Sequence, residues 1–231
     1  MTSVLLDRQA LTELPALPTD LVELSAWDNE ISEVPSTIGA LQRLRVLILA
    51  GNRLSAVPVS IAELTQLWTL DLGHNQLTAL PSRLPDVEQY LYLHDNLLTS
   101  LPDGLGELTR LRYLNVSGNP LGELPASTGE LAALVELRAE RCGLTTLPDS
   151  IGRLGHLHEL SVRDNAISAL TRQIGALTSL RRLDLRNNQL RTLPDEIAEL
   201  PALDKLDLRW NRGLDVPWLA RLERRGCVVW R

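Results

Sequence analysis

The chain has 231 residues, 44% of them hydrophobic with no Phe, and a net charge of −6 at pH 7. Residues 1–180 hold 12 Arg against 21 acidic residues, a balance of −9, while residues 181–231 hold 11 Arg and Lys against 8, a balance of +3. This distribution excludes the broad basic surface that a nucleic-acid binder needs to neutralise phosphates, and no run reaches the ~18 apolar residues of a membrane span.

The opening residues, MTSVLLDRQALTELP, carry no basic n-region and no apolar h-region. They already follow a template: Val4 and Leu6 alternate, Gln9 follows, then Leu11, Leu14 and Pro15. The chain thus begins inside a repeat with no visible N-terminal cap, leaving an apolar sheet edge where a second copy could pair. The clearest copy of the template is Leu180–Pro194, LRRLDLRNNQLRTLP. With Asn188 as zero, leucines stand at −8, −5, −3, +2 and +5, followed by Pro194. Equivalent anchors are Asn29, Asn52, Asn75, Asn96, Asn119, Cys142, Asn165 and Asn211. The steps are 23 residues, except 20 from Gln9 to Asn29 and 21 from Asn75 to Asn96. A fixed period of this length specifies a solenoid.

Within each unit, residues −5 to −3 alternate apolar and variable, the signature of a strand buried on one face. One strand per unit, all in one direction, predicts a parallel sheet of about ten strands. The return segment, LPxxIGxL, combines a Pro with a helix-weakening Gly and predicts loop with short 3-10 or helical turns. Each anchor Asn has an amide that both donates and accepts, which suits the backbone groups buried at the turn. Cys142 takes that place once and reads as a structural thiol, not a nucleophile, because no base accompanies it. The 20- and 21-residue steps carry extra prolines, Pro18 and Pro85, and predict shortened returns. Thr171 in a proline position and Thr128 in an isoleucine position read as drift. After residue 214 the pattern stops. Asp215 as N-cap, Pro217 in the first turn, and Trp218, Leu219 and Leu222 at helical spacing predict a short helix. Cys227–Trp230 then predicts a final strand, so that 215–231 caps the array of 1–214.

These units resemble leucine-rich repeat proteins, specifically the LPxxIGxLxxLxxLxLxxNxL type of Ras-group and Scribble-like scaffolds and of many bacterial proteins. The short, double-proline units look like those of bacterial effector repeat proteins, and WLARLERRGCVV looks like a tail of bacterial members, which points to a bacterial source. The resemblance implies an α/β solenoid, a right-handed horseshoe with a concave sheet, that binds a protein or peptide partner on that sheet.

Offsets −6, −4, −2, −1 and +1 face solvent on the sheet, and strands roughly 4.8 Å apart turn each offset into a column. The candidate partner-binding residues are therefore Trp27, Ile48, Asp71, Tyr90, Tyr92, His94, Tyr113, Asn115, Arg138, Arg163, Arg186 and Arg209. All three tyrosines of the chain fall on such offsets within two units, and exposed tyrosines are common interface anchors. In the charged part, one reading is a lattice of surface ion pairs, weak individually. The other is that the adjacent Arg163, Arg186 and Arg209 repel and welcome an acidic peptide. Asp71, His74, His94 and Asp95 lie on neighbouring strands and could approach one another as an adventitious divalent metal site, yet no HExxH, CxxC or phosphate loop accompanies them. No catalytic residue, metal or cofactor is expected, and the histidines read as solvated. With Cys142 and Cys227 in no disulfide-framework spacing, a reducing, cytoplasmic setting fits best. The expected function is a non-enzymatic recognition scaffold. The alternatives are a structural or self-associating unit, or the substrate-recognition part of a larger effector-like protein.

Overall fold

The structure is a computed structural model that describes residues 2–231. Eleven strands form one sheet in strict chain order, and every neighbouring pair is parallel. They are β1 (Thr2–Leu5), β2 (Leu21–Ser25), β3 (Val46–Ile48), β4 (Thr69–Asp71), β5 (Tyr90–Tyr92), β6 (Tyr113–Asn115), β7 (Glu136–Arg138), β8 (Glu159–Ser161), β9 (Arg182–Asp184), β10 (Lys205–Asp207) and β11 (Val228–Trp230). The sheet does not close on itself; β1 and β11 are its edges.

Leucine columns make the core. Leu24, Leu47, Leu70, Leu91, Leu114, Leu137, Leu160, Leu183 and Leu206, one on each of β2 to β10, are buried in register beneath the sheet. Each such side chain contributes about 1.5–3 kcal/mol by leaving water, and each touches only its own coil and the adjacent ones, so stability accumulates along the stack.

On the other side, seven returns hold a five-residue 3-10 segment, opened in six of them by the residue after a proline and in one by the residue after Thr171: Ser36–Ala40, Val59–Glu63, Asp103–Glu107, Ala126–Glu130, Asp149–Arg153, Arg172–Ala176 and Asp195–Glu199. The two short returns hold none; in the second, Leu84 and Val87 fill the interior from a Pro85 turn. The glycines of LPxxIG are not there to break helix. Gly39, Gly106 and Gly129 each lie against a serine of the next coil (Ser60, Ser127 and Ser150), where a Cβ would overlap backbone or side chain. They permit close coil-to-coil approach.

Two further expectations, for Thr171 and Asp215, are corrected. Thr171 is no drift: its hydroxyl accepts from the Gln173 amide at 3.2 Å and donates to Asp149, making it the one side-chain cap among these 3-10 segments. Asp215 does not cap a helix. Its amide bonds to the Arg191 carbonyl, and the helix α1 (Leu219–Arg224) starts later, with Trp218 at the N-cap and no side-chain bond. Thr128 is fully buried with its hydroxyl unpartnered among the described residues. Thr128→Val keeps the shape and removes that orphan, so the variant is expected to gain about 1–2 kcal/mol, read as a raised urea midpoint.

Candidate recognition face

The turn after each strand sets this face. The residue just before each anchor adopts the left-handed region throughout: Arg8, Asp28, Gly51, His74, Asp95, Gly118, Arg141, Asp164, Asn187 and Trp210 all have φ between 50° and 71°. Asp, Asn and Gly enter that region readily, whereas His74, Arg141 and Trp210 are held there by the stack. The anchor that follows reaches inward. Asn119, fully buried, accepts from the Leu98 amide at 3.0 Å and donates to the carbonyls of Leu93 and Val116 at 2.9 and 2.8 Å. Cys142 replaces this with two thiol contacts, to the carbonyls of Val116 and Glu140 at 3.4 and 3.3 Å. Burial pushes its thiol up to about 11, so it stays protonated and inert, as the sequence implies. Lacking an acceptor there, the Leu121 amide turns to its own Asn119 carbonyl, and Gly122 enters the left-handed region at φ 72°.

At the centre of the face the aromatic side chains form a continuous strip. Tyr92 lies 5.0 Å from Tyr113 and 6.2 Å from Tyr90, and Tyr90 and Tyr113, paired across β5 and β6, lie 5.9 Å apart. His94 continues the strip 6.0 Å beyond Tyr92, and His74 packs edge-on to it at 4.7 Å. Tyr90 is 44% exposed while Tyr92 and Tyr113 are half-buried, so none is tucked inside. Burial pushes the Tyr113 phenol up to about 12, leaving a neutral donor at the strip's end. Arg138 stands 6.0 Å over the Tyr113 ring and is held by Glu136 at 2.6 Å. Asp71, beside Tyr92, accepts from the Gly73 amide at 2.9 Å, while burial raises its pKa above the ordinary carboxylate value. Asn115 is similarly engaged, accepting from the Ser117 amide.

His94 corrects the solvated reading. It is half-buried, its Nδ1 has no partner among the described residues, and burial lowers its pKa below the usual imidazole value. The ligand atoms of His74, His94 and Asp95 all lie within 4.8 Å of one another; Asp71 stays outside that group.

The other candidates divide. Trp27 is stacked under Arg8 at 4.2 Å and Ile48 is half-buried on β3; both lie apart from the tyrosine strip. Each guanidinium of the arginine column is paired with a carboxylate. Arg163 pairs with Glu140 at 2.7 Å; Arg186 grips Asp184 through two nitrogens and reaches Asp207 at 3.4 Å; Arg209 holds Asp207 at 2.9 and 2.7 Å. The hydrogen bonds to those carboxylates raise all three guanidinium pKa values, which favours the ion-pair lattice. Glu140 was not singled out from sequence; it stands at the same −2 offset as the three arginines and heads their column.

No helix among the described residues is long and apolar enough to cross a membrane. The family model for the leucine rich repeat matches residues 19–77 and 155–212, and that for a leucine-rich repeat region matches 88–166. No curated protein sequence matches the chain. Among solved structures, it is similar to YopM, a leucine-rich effector protein of Yersinia pestis (29% identity, TM-score 0.70, covering 87% of this chain and 52% of that one). A chain in the octameric complex of latrophilin 3, Unc5D and FLRT2, whose leucine-rich repeat part is FLRT2, matches with 26% identity and TM-score 0.76, covering 92% and 70%. The plant peptide hormone receptor RGFR1, in complex with RGF2, matches with 25% identity and TM-score 0.68 over 83% of this chain. The present chain spans only 32% of that receptor and 52% of YopM. The repeat period, the stacked asparagines, the open parallel sheet and these matches agree: the chain belongs to the leucine-rich repeat family.

Proposed function

We propose that the chain is a non-enzymatic recognition scaffold that takes a peptide or a protein loop across its concave sheet, with Tyr90, Tyr92 and Tyr113 as the anchor. The observation that carries this is the uninterrupted aromatic strip, set on a rigid sheet at no cost to the core. Rigid aromatic surface with polar tips loses little conformational entropy on binding. Two of the similar structures, the hormone receptor and the FLRT2 complex, hold a peptide or protein partner, which supports the reading. Trp27, Ile48, Asp71, Asn115 and Arg138 would border the anchor, and Arg163, Arg186 and Arg209 would offer a self-neutralised surface with hydrogen-bond capacity to spare.

Tyr92→Ala combined with Tyr113→Ala is expected to weaken a partner, isolated by affinity capture on the unmodified chain, by about 30-fold or more. The urea midpoint is expected to stay near that of the unmodified chain, because these side chains lie above the sheet. Unchanged affinity discards the tyrosine anchor. A second reading, self-association, rests on edge strand β1, whose Leu5 is 61% exposed; sedimentation as a monomer at every concentration discards it. A third, that this is the recognition part of a longer effector-like protein, is decided by the full reading frame.

A further inference from the structure

We infer that His74, His94 and Asp95 form a binding site for a divalent transition-metal ion of the zinc class at the rim of the concave face. The three sit at the same turn of adjacent coils. His74 and Asp95 are the left-handed residues before Asn75 and Asn96, and His94 precedes Asp95. A backbone bond from the His74 amide to the His94 carbonyl, 2.9 Å, fixes the two coils relative to each other at this point.

Donor type comes first. Two imidazoles and one carboxylate make an N₂O set, which suits zinc, cobalt, nickel or copper and not calcium or magnesium. Distance comes next. Ligand atoms in a tetrahedral site with bonds of about 2.1 Å stand about 3.4 Å apart. His74 Nδ1 and Asp95 Oδ2 are already 3.6 Å apart, and all three donors lie within 4.8 Å. The His74 side chain is 61% exposed and so has room to turn toward the other two. The free nitrogen of His94 supplies an independent observation: a buried ring nitrogen without a hydrogen bond is an unmet polar atom.

The surroundings hold these groups as a metal site's outer shell does. Arg141 takes the other oxygen of Asp95 at 3.3 Å, leaving Oδ2 turned toward His74. Gly73 makes room for the His94 ring, since a Cβ there would lie 2.7 Å from Nδ1 and 2.9 Å from Nε2. Gly118 does the same for the Asp95 carboxylate, 3.1 Å from its Cγ. Gly73 occupies a turn offset where every other coil carries a larger residue, so its placement beside His94 is the local sequence signal. Three protein ligands leave a fourth position for water or a donor from outside.

The test uses the full chain and zinc chloride alone, by calorimetry at neutral pH, with cobalt absorption as a second readout. One ion per chain and a tetrahedral cobalt spectrum are expected. His74→Ala with His94→Ala should weaken binding by at least about 10-fold, and Gly73→Ala, which keeps all three ligand residues but displaces the His94 ring, by about 10-fold. Circular dichroism checks that each variant keeps its fold. His156→Ala with His158→Ala, the other histidine pair, should leave binding unchanged. The inference is overturned if the unmodified chain binds no zinc, if binding survives loss of His74 and His94, or if it follows His156 and His158 instead.

Discussion

Asn119→Ala is expected to destabilise the array by about 3–5 kcal/mol, the largest effect of any single polar substitution in the chain. The amide side chain satisfies three backbone groups at once: the Leu98 N–H, and the carbonyls of Leu93 and Val116. Two of the three belong to the preceding coil, and the residue is fully buried, so water cannot take over. Each orphaned group costs about 1–3 kcal/mol. Cys142→Ala at the equivalent position should lose only about 1 kcal/mol, since a thiol is a weak donor and the Leu121 amide is already satisfied by Asn119. The check is a pair of urea unfolding curves. Equal midpoints for the two variants would show that the asparagine stack is not the spine of the structure.

Gly129→Val is expected to lose about 2–3 kcal/mol, although Gly129 does not adopt a glycine-only backbone conformation. An added side chain would stand 2.6 Å from Ser150 Cβ and 2.7 Å from the Ser150 carbonyl carbon, forcing two coils apart. Gly155→Ala provides the contrast, with nothing within 4 Å of the new Cβ; it should be neutral or gain up to about 1 kcal/mol through the unfolded state. Comparable losses for the two would mean that coil spacing on this side is not set by glycine.

Much of this molecule can be read before any coordinates, because a period converts sequence offset directly into position. The sheet, the buried leucines, the Asn119-type anchors and the columns holding Tyr90, Tyr92 and Tyr113 all follow from counting. What counting misses depends on side-chain reach. The arginines at 163, 186 and 209 look like repelling neighbours until Glu140, Asp184 and Asp207 are seen folded between them. Thr171 looks like drift until its hydroxyl is found capping the turn. His94 looks solvated because its offset faces outward, yet the bare backbone of Gly73 lets the ring lie down against the sheet. Asp215 looks like a cap until its amide is seen bonded to the Arg191 carbonyl of the last repeat, with α1 beginning four residues later.

Because each strand pairs only with the strands on either side of it in chain order, a force applied across the two ends meets no long-range tie. The coils would then let go one after another from an edge, each release adding roughly 75–80 Å of slack for its 23 residues. Under tension this architecture behaves as a ratcheted tape, able to surrender length in nearly equal increments while the coils not yet reached keep their shape.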